Sequence, residues 1–499
     1  MFQLQNITIQ RHPIFGSADI NFANCIDEQF ANIGNATSVI IGRNGIGKSY
    51  LLRAIADIFR LLDVIINKPE EGQFPELKYH FAVKYFMDGH TYVVSDLKQG
   101  LQRVRADNMT AFTFKKDGRN AYSQEMQLPR TVIASSMTIA DKFPTPSAGI
   151  YKYRGVRSEK TPSTTGTRTI VRKAVEGIMD SLAHKHTTRE EIAAILTELG
   201  FQPRLEIKYR IRYRDVFVRP DMNPALLRDI YTNWKEYFQG RRGEVWGTKY
   251  YHTLSNYPDR INEVCQFLRK CYELTESNTR NLIVYDVFDP NNTLVFDADV
   301  IKILSNLDIL SFPEFKVYKN NVHQGYDFVE SSSGETQQLC QFISIMSEIE
   351  DNSLVLIDEP ENSSHPNWQM NYIGWLQKIF KSYRSCHFLI ATHSHFLLTD
   401  MRPEWSSIIA LNKTENGLQN IAEGVNTFCW STDDILYRVF HVRNTRNRAF
   451  EDDIMRLYTL IEDGKKSSKE AKEIAKVLNG YVLPGNDPIL KLLDLMKDA

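Results

Sequence analysis

The chain has 499 residues, 42% hydrophobic and 24% charged, with a formal net charge of −1. That length exceeds what one simple core fills and sets an expectation of roughly three domains, while the composition is that of a globular protein. The near-zero balance excludes a global field for attracting nucleic acid, and no apolar run approaches the roughly twenty residues of a membrane helix.

The N-terminus, MFQLQNITIQ, carries no basic-then-apolar leader, so a secretory signal is not expected. The six cysteines, Cys25, Cys265, Cys271, Cys340, Cys386 and Cys429, show no paired CxxC spacing. They read as free thiols of a reducing compartment, and a cytoplasmic protein is the expectation.

The first 60 residues read strand, loop, strand, glycine loop, helix. Residues 38–41 (SVII) are a short apolar strand, and Leu51, Leu52, Ile55, Ile58, Phe59 and Leu62 recur at helical spacing behind it. Between them lies GRNGIGKS, residues 42–49. This Gly-x4-Gly-Lys-Ser pattern reads as a phosphate-binding loop because a strand feeds it and a helix follows it. Gly42, Asn44, Gly45 and Gly47 belong to a backbone that curls its N–H groups around phosphates, and Tyr50 joins the candidate nucleotide contacts. Lys48 reaches the β- and γ-phosphate oxygens, Ser49 ligates Mg²⁺, and the helix end adds its positive pole. ATP with Mg²⁺ is the expected ligand.

Residues 76–135 read as a meander, with KYHFAVKYF, HTYVVSDL, TAFTFKKDG and RTVIASS between Gly/Asp turns. From about 165 to 320, helical stretches at 168–184, 188–199, 224–238 and 258–275 surround one strand, Leu205 to Val218. Its alternation is strict. Leu205, Ile207, Tyr209, Ile211 and Tyr213 share one face, and Glu206, Lys208, Arg210, Arg212 and Arg214 the other. With Arg204 and Arg219 nearby, Lys208, Arg210, Arg212 and Arg214 make the best local patch for nucleic acid, and Arg241-Arg242 a second. A solvated sheet face is the alternative.

Residues 331–361, SSSGETQQLCQFISIMSEIEDNSLVLIDEPE, are the most informative stretch. Ser332-x-x-Glu335 is a capping box opening a helix that holds Leu339, Phe342, Ile343 and Met346. The run LVLID is a buried parallel strand with Asp358 and Glu359 at its C-terminal end, the edge where open α/β sheets bind ligands. Asp358 is expected to hold Mg²⁺ through water, and Glu359 to orient or deprotonate the attacking water. Another strand, FLIATH, ends in His393; beyond about 430 the chain is helical and charged. Alone, these features would be a helix cap, a pair of acids closing a strand and a structural histidine. Their order gives them meaning together.

P-loop, SSGE, apolar strand with Asp-Glu, then a strand ending in His is an order that resembles an ABC-type ATPase head. The strings IDEPENSSHPNWQ and IATHSHFLL resemble ATPases related to overcoming-lysogenization-defect proteins, and more distantly the heads of Rad50, RecF and SMC proteins. The loop Glu361-Asn362-Ser363-Ser364-His365-Pro366 carries the family pattern. This resemblance spans about 1–150 and 325–425. It implies that Ser332, Ser333, Gly334 and Glu335 face the γ-phosphate held by an opposite copy, and that His393 contacts that phosphate as a sensor. It further implies a homodimer or a larger even-numbered assembly. VIASSMTIADKFP, YKYRG and the tail from STDDILYRVF to NDPILKLL look like a narrower group, the ATPase subunits of Septu-type and retron-associated anti-phage systems. That likeness implies a separate nuclease effector of HNH type.

Two departures bear on rate. Ser333-Gly334 stands where the pattern has Gly-Gly, and Ser135–Asp141 occupies the place of the usual Q-loop glutamine. Slow or regulated ATP hydrolysis is the expectation. The expected fold class is α/β, an ABC-type P-loop ATPase head with a mainly helical insertion and a helical tail. Its divisions are expected at 1–160 and 326–425 for the two halves of the core, 161–325 for the insertion, and 426–499 for oligomerisation or effector docking. The rival expectation is a DNA-repair or chromosome-maintenance ATPase of the RecF/Rad50 type that acts directly on DNA. Its usual long coiled-coil arm is missing from the sequence. A toxin with a hydrolase in 165–320 lacks any metal-ligand or nucleophile constellation there.

Overall fold

The computed structural model describes the chain except residues 1, 23–34, 68–76, 98–111, 158–166, 185–188, 239–245, 276–281, 290–297, 312, 321, 323, 416, 421–426, 441–446, 482–487 and 498–499. Cys25 and the expected patch Arg241-Arg242 lie outside the described residues. Strands β1 (Phe2–His12), β2 (Gly16–Asn21) and β3 (Ala36–Ile41) lead into α1 (Lys48–Asn67). Then come β4 (His80–Met87), β5 (His90–Ser95), β6 (Thr113–Lys116), β7 (Arg119–Asn120), β8 (Val132–Ser136) and β9 (Tyr151–Gly155). The middle of the chain forms α2 (Thr167–His184), α3 (Arg189–Glu198), β10 (Phe201–Arg210), α4 (Arg214–Phe217), α5 (Pro224–Thr232) and α6 (Trp234–Phe238). It continues with α7 (Trp246–Leu254), α8 (Pro258–Thr275), β11 (Leu282–Asp286), α9 (Ala298–Asn306), β12 (Glu314–Lys319) and β13 (Tyr326–Asp327). After these lie α10 (Ser333–Met346), β14 (Leu354–Asp358), α11 (Pro366–Ile379), β15 (His387–Ala391), β16 (Ser406–Thr414) and β17 (Gly417–Asn420). Helices α12 (Thr432–Arg438), α13 (Arg448–Glu462), α14 (Lys469–Asn479) and α15 (Pro488–Lys497) end the chain.

The chain divides into two compact units, 1–432 and 433–499. In the first, the described strands build a thirteen-stranded sheet in the order β7-β6-β5-β4-β1-β2-β17-β16-β3-β15-β14-β8-β9. One half, β16-β3-β15-β14-β8-β9, is parallel throughout. Its inner strands β3, β14 and β15 are buried at every residue, which explains why they read as unbroken apolar runs rather than alternating ones. The other half is an antiparallel meander around β1 and β4, joined to the parallel half through β17, which runs parallel to β2 and antiparallel to β16. RTVIASS, read with that meander, belongs instead to the parallel half as β8. A continuous apolar core, including Phe2, Phe59, Tyr85 and Leu356, runs between the sheet and α1.

The stretch between β9 and α10 is less purely helical than expected. Besides its helices it holds a second sheet, β11-β10-β12-β13. Strand β10 stops at Arg210, and Tyr213 then adopts a left-handed conformation at φ 50° before α4. Arg212 and Arg214 therefore leave the strand, correcting the reading of one long basic face. What remains of that face is compensated in part. Glu206 accepts from Arg204 at 2.9 Å and from Lys208 at 3.0 Å, and Arg212 pairs with Asp308.

The second unit has its own small core of Leu457, Leu460, Ala471, Ala475, Leu478 and Leu493 from α13, α14 and α15. Helices α13 and α14 start on Asn447 and Ser468, whose side chains accept backbone N–H groups of the first turn. Among the described residues, no helix is long and apolar enough to cross a membrane.

Candidate functional site

In a parallel sheet the C-terminal strand ends open onto one edge, where loops and helix starts converge. Strand β3 delivers Gly42–Ser49 to that edge, β14 delivers Asp358 and Glu359, and β15 delivers His393. Asn44 and Gly45 sit exposed at the loop tip, while Lys48 is buried. Gly47, at φ +118°, is required twice over. Its backbone is poorly open to L side chains, and a Cβ there would lie 3.3 Å from the Phe15 ring. Tyr50 is half-buried against the core, beside His12.

One hydrogen bond closes the site across 309 residues of sequence. Ser49 Oγ donates to Asp358 Oδ1 at 3.0 Å. Lys48 Nζ donates to Gly42 O at 2.8 Å and lies 3.1 Å from His393 Nδ1. An ammonium can only donate, so Nδ1 must be the lone-pair nitrogen, and this network assigns the ring proton to Nε2. That nitrogen lies 3.8 Å from Glu359 Oε1. Lys48, His393 and Glu359 thus form one line of contacts. Glu359 sits at φ 51°, a conformation costly for a glutamate and typical of functional turns. Its N–H donates to Ala391 O at 2.9 Å, and Asn362 Nδ2 holds its carboxylate at 3.0 Å.

Burial governs the charges. It pushes the Asp358 carboxyl up to about 7, with the Ser49 hydrogen bond acting against it and Glu359 and Glu361 adding to it. Burial also pulls Lys48 down to about 8, despite the opposing pull of Glu361, Glu359 and Asp358. His393 is lowered by burial and then by the neighbouring Lys48 charge. A buried ammonium facing buried carboxylates is an arrangement suited to a polyanion with a divalent cation.

The donor set fits both. Ser49 and Asp358 offer hard oxygens, and among the described residues no group of three or more His, Cys, Asp or Glu side chains forms a metal cage. Few protein ligands suit Mg²⁺, which keeps waters and takes substrate phosphates. The start of α1 has no acidic residue in its first turn to repel phosphate.

Ser332 caps α10 as the capping box requires. Glu335 N–H donates to Ser332 Oγ at 3.3 Å, and Ser332 N–H donates to Glu335 Oε2 at 3.2 Å. Lys319 of β12 pairs with Glu335 at 2.6 Å. Ser332 and Ser333 are exposed, whereas Gly334 is buried, and a Cβ on it would meet Ser363 O at 2.6 Å. Among the described residues, the hydrogen bonds and ion pairs of Ser332–Glu335 do not reach the 42–49 loop of the same chain. His365 accepts from Asn367 N–H at 3.2 Å and caps α11. Ser135 and Ser136 end β8 in register with Ile357 and Asp358. Asp141 is engaged elsewhere, accepting from Tyr153 and Arg157.

Sequence reasoning singled out Glu359 and His393 but assigned no role to Glu361. Its Oε1 accepts the His393 N–H at 2.6 Å. The signal was present in the string DEPE, yet spacing alone does not say which of its acids turns inward.

Residues 286–399 match a sequence family described as "AAA domain, putative AbiEii toxin, Type IV TA system". The segment is similar to an AAA-type ATPase domain. The match takes in Ser332–Glu335, Asp358, Glu359 and His393, and Gly42–Ser49 lie outside it. No curated protein matches the chain. Among solved structures, the SMC head domain of Pyrococcus furiosus, bound to the C-terminal domain of ScpA, is similar at 12% identity and TM-score 0.33. That alignment covers 89% of this chain and 100% of that one. The SMC head domain of Thermotoga maritima is similar at 12% identity and TM-score 0.36, covering 84% and 99%. Likeness of that degree carries no weight for function.

Proposed function

We propose that the chain binds ATP with Mg²⁺ and hydrolyses it in a composite site made by two copies of itself. The observation that carries this reading is the Ser49–Asp358 hydrogen bond, which seats the phosphate-loop hydroxyl on the acid at the end of β14. Gly42, Asn44, Gly45, Gly47 and Tyr50 would line the nucleotide, and Lys48 would turn from His393 to the β- and γ-phosphates. Ser49 and Asp358 would hold Mg²⁺, which when bound neutralises phosphate charge. Glu359 takes a proton from water as its oxygen attacks the γ-phosphorus. The bond to the β-phosphate oxygen breaks, and ADP and phosphate leave. His393 senses the γ-phosphate.

The exposed Ser332 and Ser333, with Gly334 and Glu335, would meet the γ-phosphate bound to the other copy. Affinity for ATP and for the second copy are then linked. In the cell, this ATPase would hold or release a partner nuclease of HNH type in an anti-phage defence complex.

Glu359→Gln should slow turnover and accumulate ATP-bound dimers on size exclusion with light scattering. If that variant stays monomeric in saturating ATP, the two-copy site is wrong. Pull-down with neighbouring gene products decides the setting. A bound nuclease supports defence, whereas none, together with strong DNA stimulation of hydrolysis, supports the DNA-maintenance alternative.

A further inference from the structure

Glu361 is buried beside His393 and carries a carboxyl where packing would need none. Its Oε1 accepts the His393 backbone N–H at 2.6 Å, and the Thr392 hydroxyl also serves the buried carboxyl. Taking a carboxyl out of water is costly unless hydrogen bonds hold it. A side chain placed for packing alone would be a poor choice here, so its position asks for another reason.

The surrounding contacts supply one. His393 follows the end of β15, in a turn that must hold the imidazole between Lys48 and Glu359. Two residues from the stretch after β14 grip that turn. Glu361 takes the N–H of His393, and Gln369 Oε1 accepts the Ser394 hydroxyl at 2.5 Å. Gln369 in turn donates to Ser364 O at 2.8 Å, tying the grip to the 361–366 loop. The same loop packs on the start of α10, where Gly334 lies against Ser363. Gln338 of α10 donates to Pro360 O at 3.0 Å and to Ser364 Oγ at 2.8 Å.

We infer that Glu361 is a positioning residue, holding His393 through its main chain so that the imidazole stays between Lys48 and the carboxylate of Glu359. This rests on the ATPase reading above and adds a residue to it. Glu361 acts through a hydrogen bond that it accepts, so glutamine can replace it and alanine cannot. Its hold on the ring has nothing left to contribute once that ring is gone, and its charge, which also bears on Lys48 and Asp358, is tested apart by Glu361→Gln.

The test is a double-mutant cycle on the full chain, with kcat and KM for ATP measured for Glu361→Ala, Glu361→Gln, His393→Ala and Glu361→Ala with His393→Ala. Equilibrium binding of a fluorescent ATP analogue is followed in parallel. Glu361→Ala should lower kcat about tenfold with ATP binding held within about twofold, and Glu361→Gln should restore most of the rate. In the His393→Ala background, Glu361→Ala should cost far less than in the wild-type chain, because residues that act as one unit are not additive. Additive losses, or a Glu361→Gln as slow as Glu361→Ala, overturn the inference while leaving the ATPase reading intact. A wild-type chain that binds no ATP overturns the reading itself.

Discussion

His387, wholly buried at the start of β15, shows how a single side chain sets a pH limit on the sheet beneath the site. Its Nδ1 accepts the Leu4 N–H at 3.1 Å, which leaves Nε2–H to face Ser38 Oγ at 3.0 Å. Burial pulls its pKa from 6.5 down to about 3. The folded-state value is the lower one, so between those limits the unfolded chain takes up a proton that the folded chain refuses. Stability from this group is full above pH 6.5 and is lost as pH falls toward 3, with a slope of at most ~1.4 kcal/mol per pH unit. The wild-type melting temperature should therefore drop steadily on acidification through that window. His387→Asn should melt lower at neutral pH but with a flatter acid dependence. Equal slopes for the two proteins would show that protonation of His387 is not the cause.

At the level of elements, the insertion meets the core at the start of α10. A short turn, Phe328–Glu330, joins β13 to Ser332. Phe328 is fully buried, edge-on to Phe201 of β10 at 6.0 Å and to Phe315 of β12 at 5.5 Å. The same ring thus anchors the second sheet and fixes where the capping box begins. Phe328→Ala should cost about 3–5 kcal/mol of unfolding free energy in denaturant titration, and Phe328→Leu much less. A loss below about 1 kcal/mol would mean that the ring is not the anchor.

The α/β class and the inner parallel strands β3, β14 and β15 were legible because each is an unbroken apolar run leading to a chemically distinctive residue, whereas β8 was read into the meander and β9 alternates. The P-loop, Asp358, Glu359 and His393 announced themselves by residue type and order, and the structure places them on one sheet edge. The second sheet was not legible. Strands β11 and β12 are short, and β12 mixes charge with its apolar positions, so neither stands out from helix by period. The end of β10 was hidden too, because Ile211 and Tyr213 continue the alternation past Arg210, where the strand stops short of the turn at Tyr213. The pairing of Lys208 with Glu206 could not be read from a one-face charge pattern that counted its bases and set its acid aside. Glu361 escaped because a hydrogen bond to a backbone N–H leaves no trace in residue type.

For the whole molecule, the division at Thr432 separates the proposed chemistry from the tail. Every residue given a role at the site lies in 1–432, as does the core that carries α1 and the central strands. The 433–499 unit draws its own core from six buried residues on three helices, little for independent stability at that size. A chain ending at Thr432 should therefore fold and bind ATP with an affinity within about twofold of the full chain, a change of under ~0.5 kcal/mol. Isothermal titration with ATP and Mg²⁺ measures this directly, with Lys48→Ala as the non-binding control. If the tail serves assembly or docking, the truncated chain should lose higher-order oligomers or partner capture while ATP binding persists. Loss of ATP binding in a truncated chain that still unfolds cooperatively would instead make the tail part of the nucleotide site, and the separation of roles would fail.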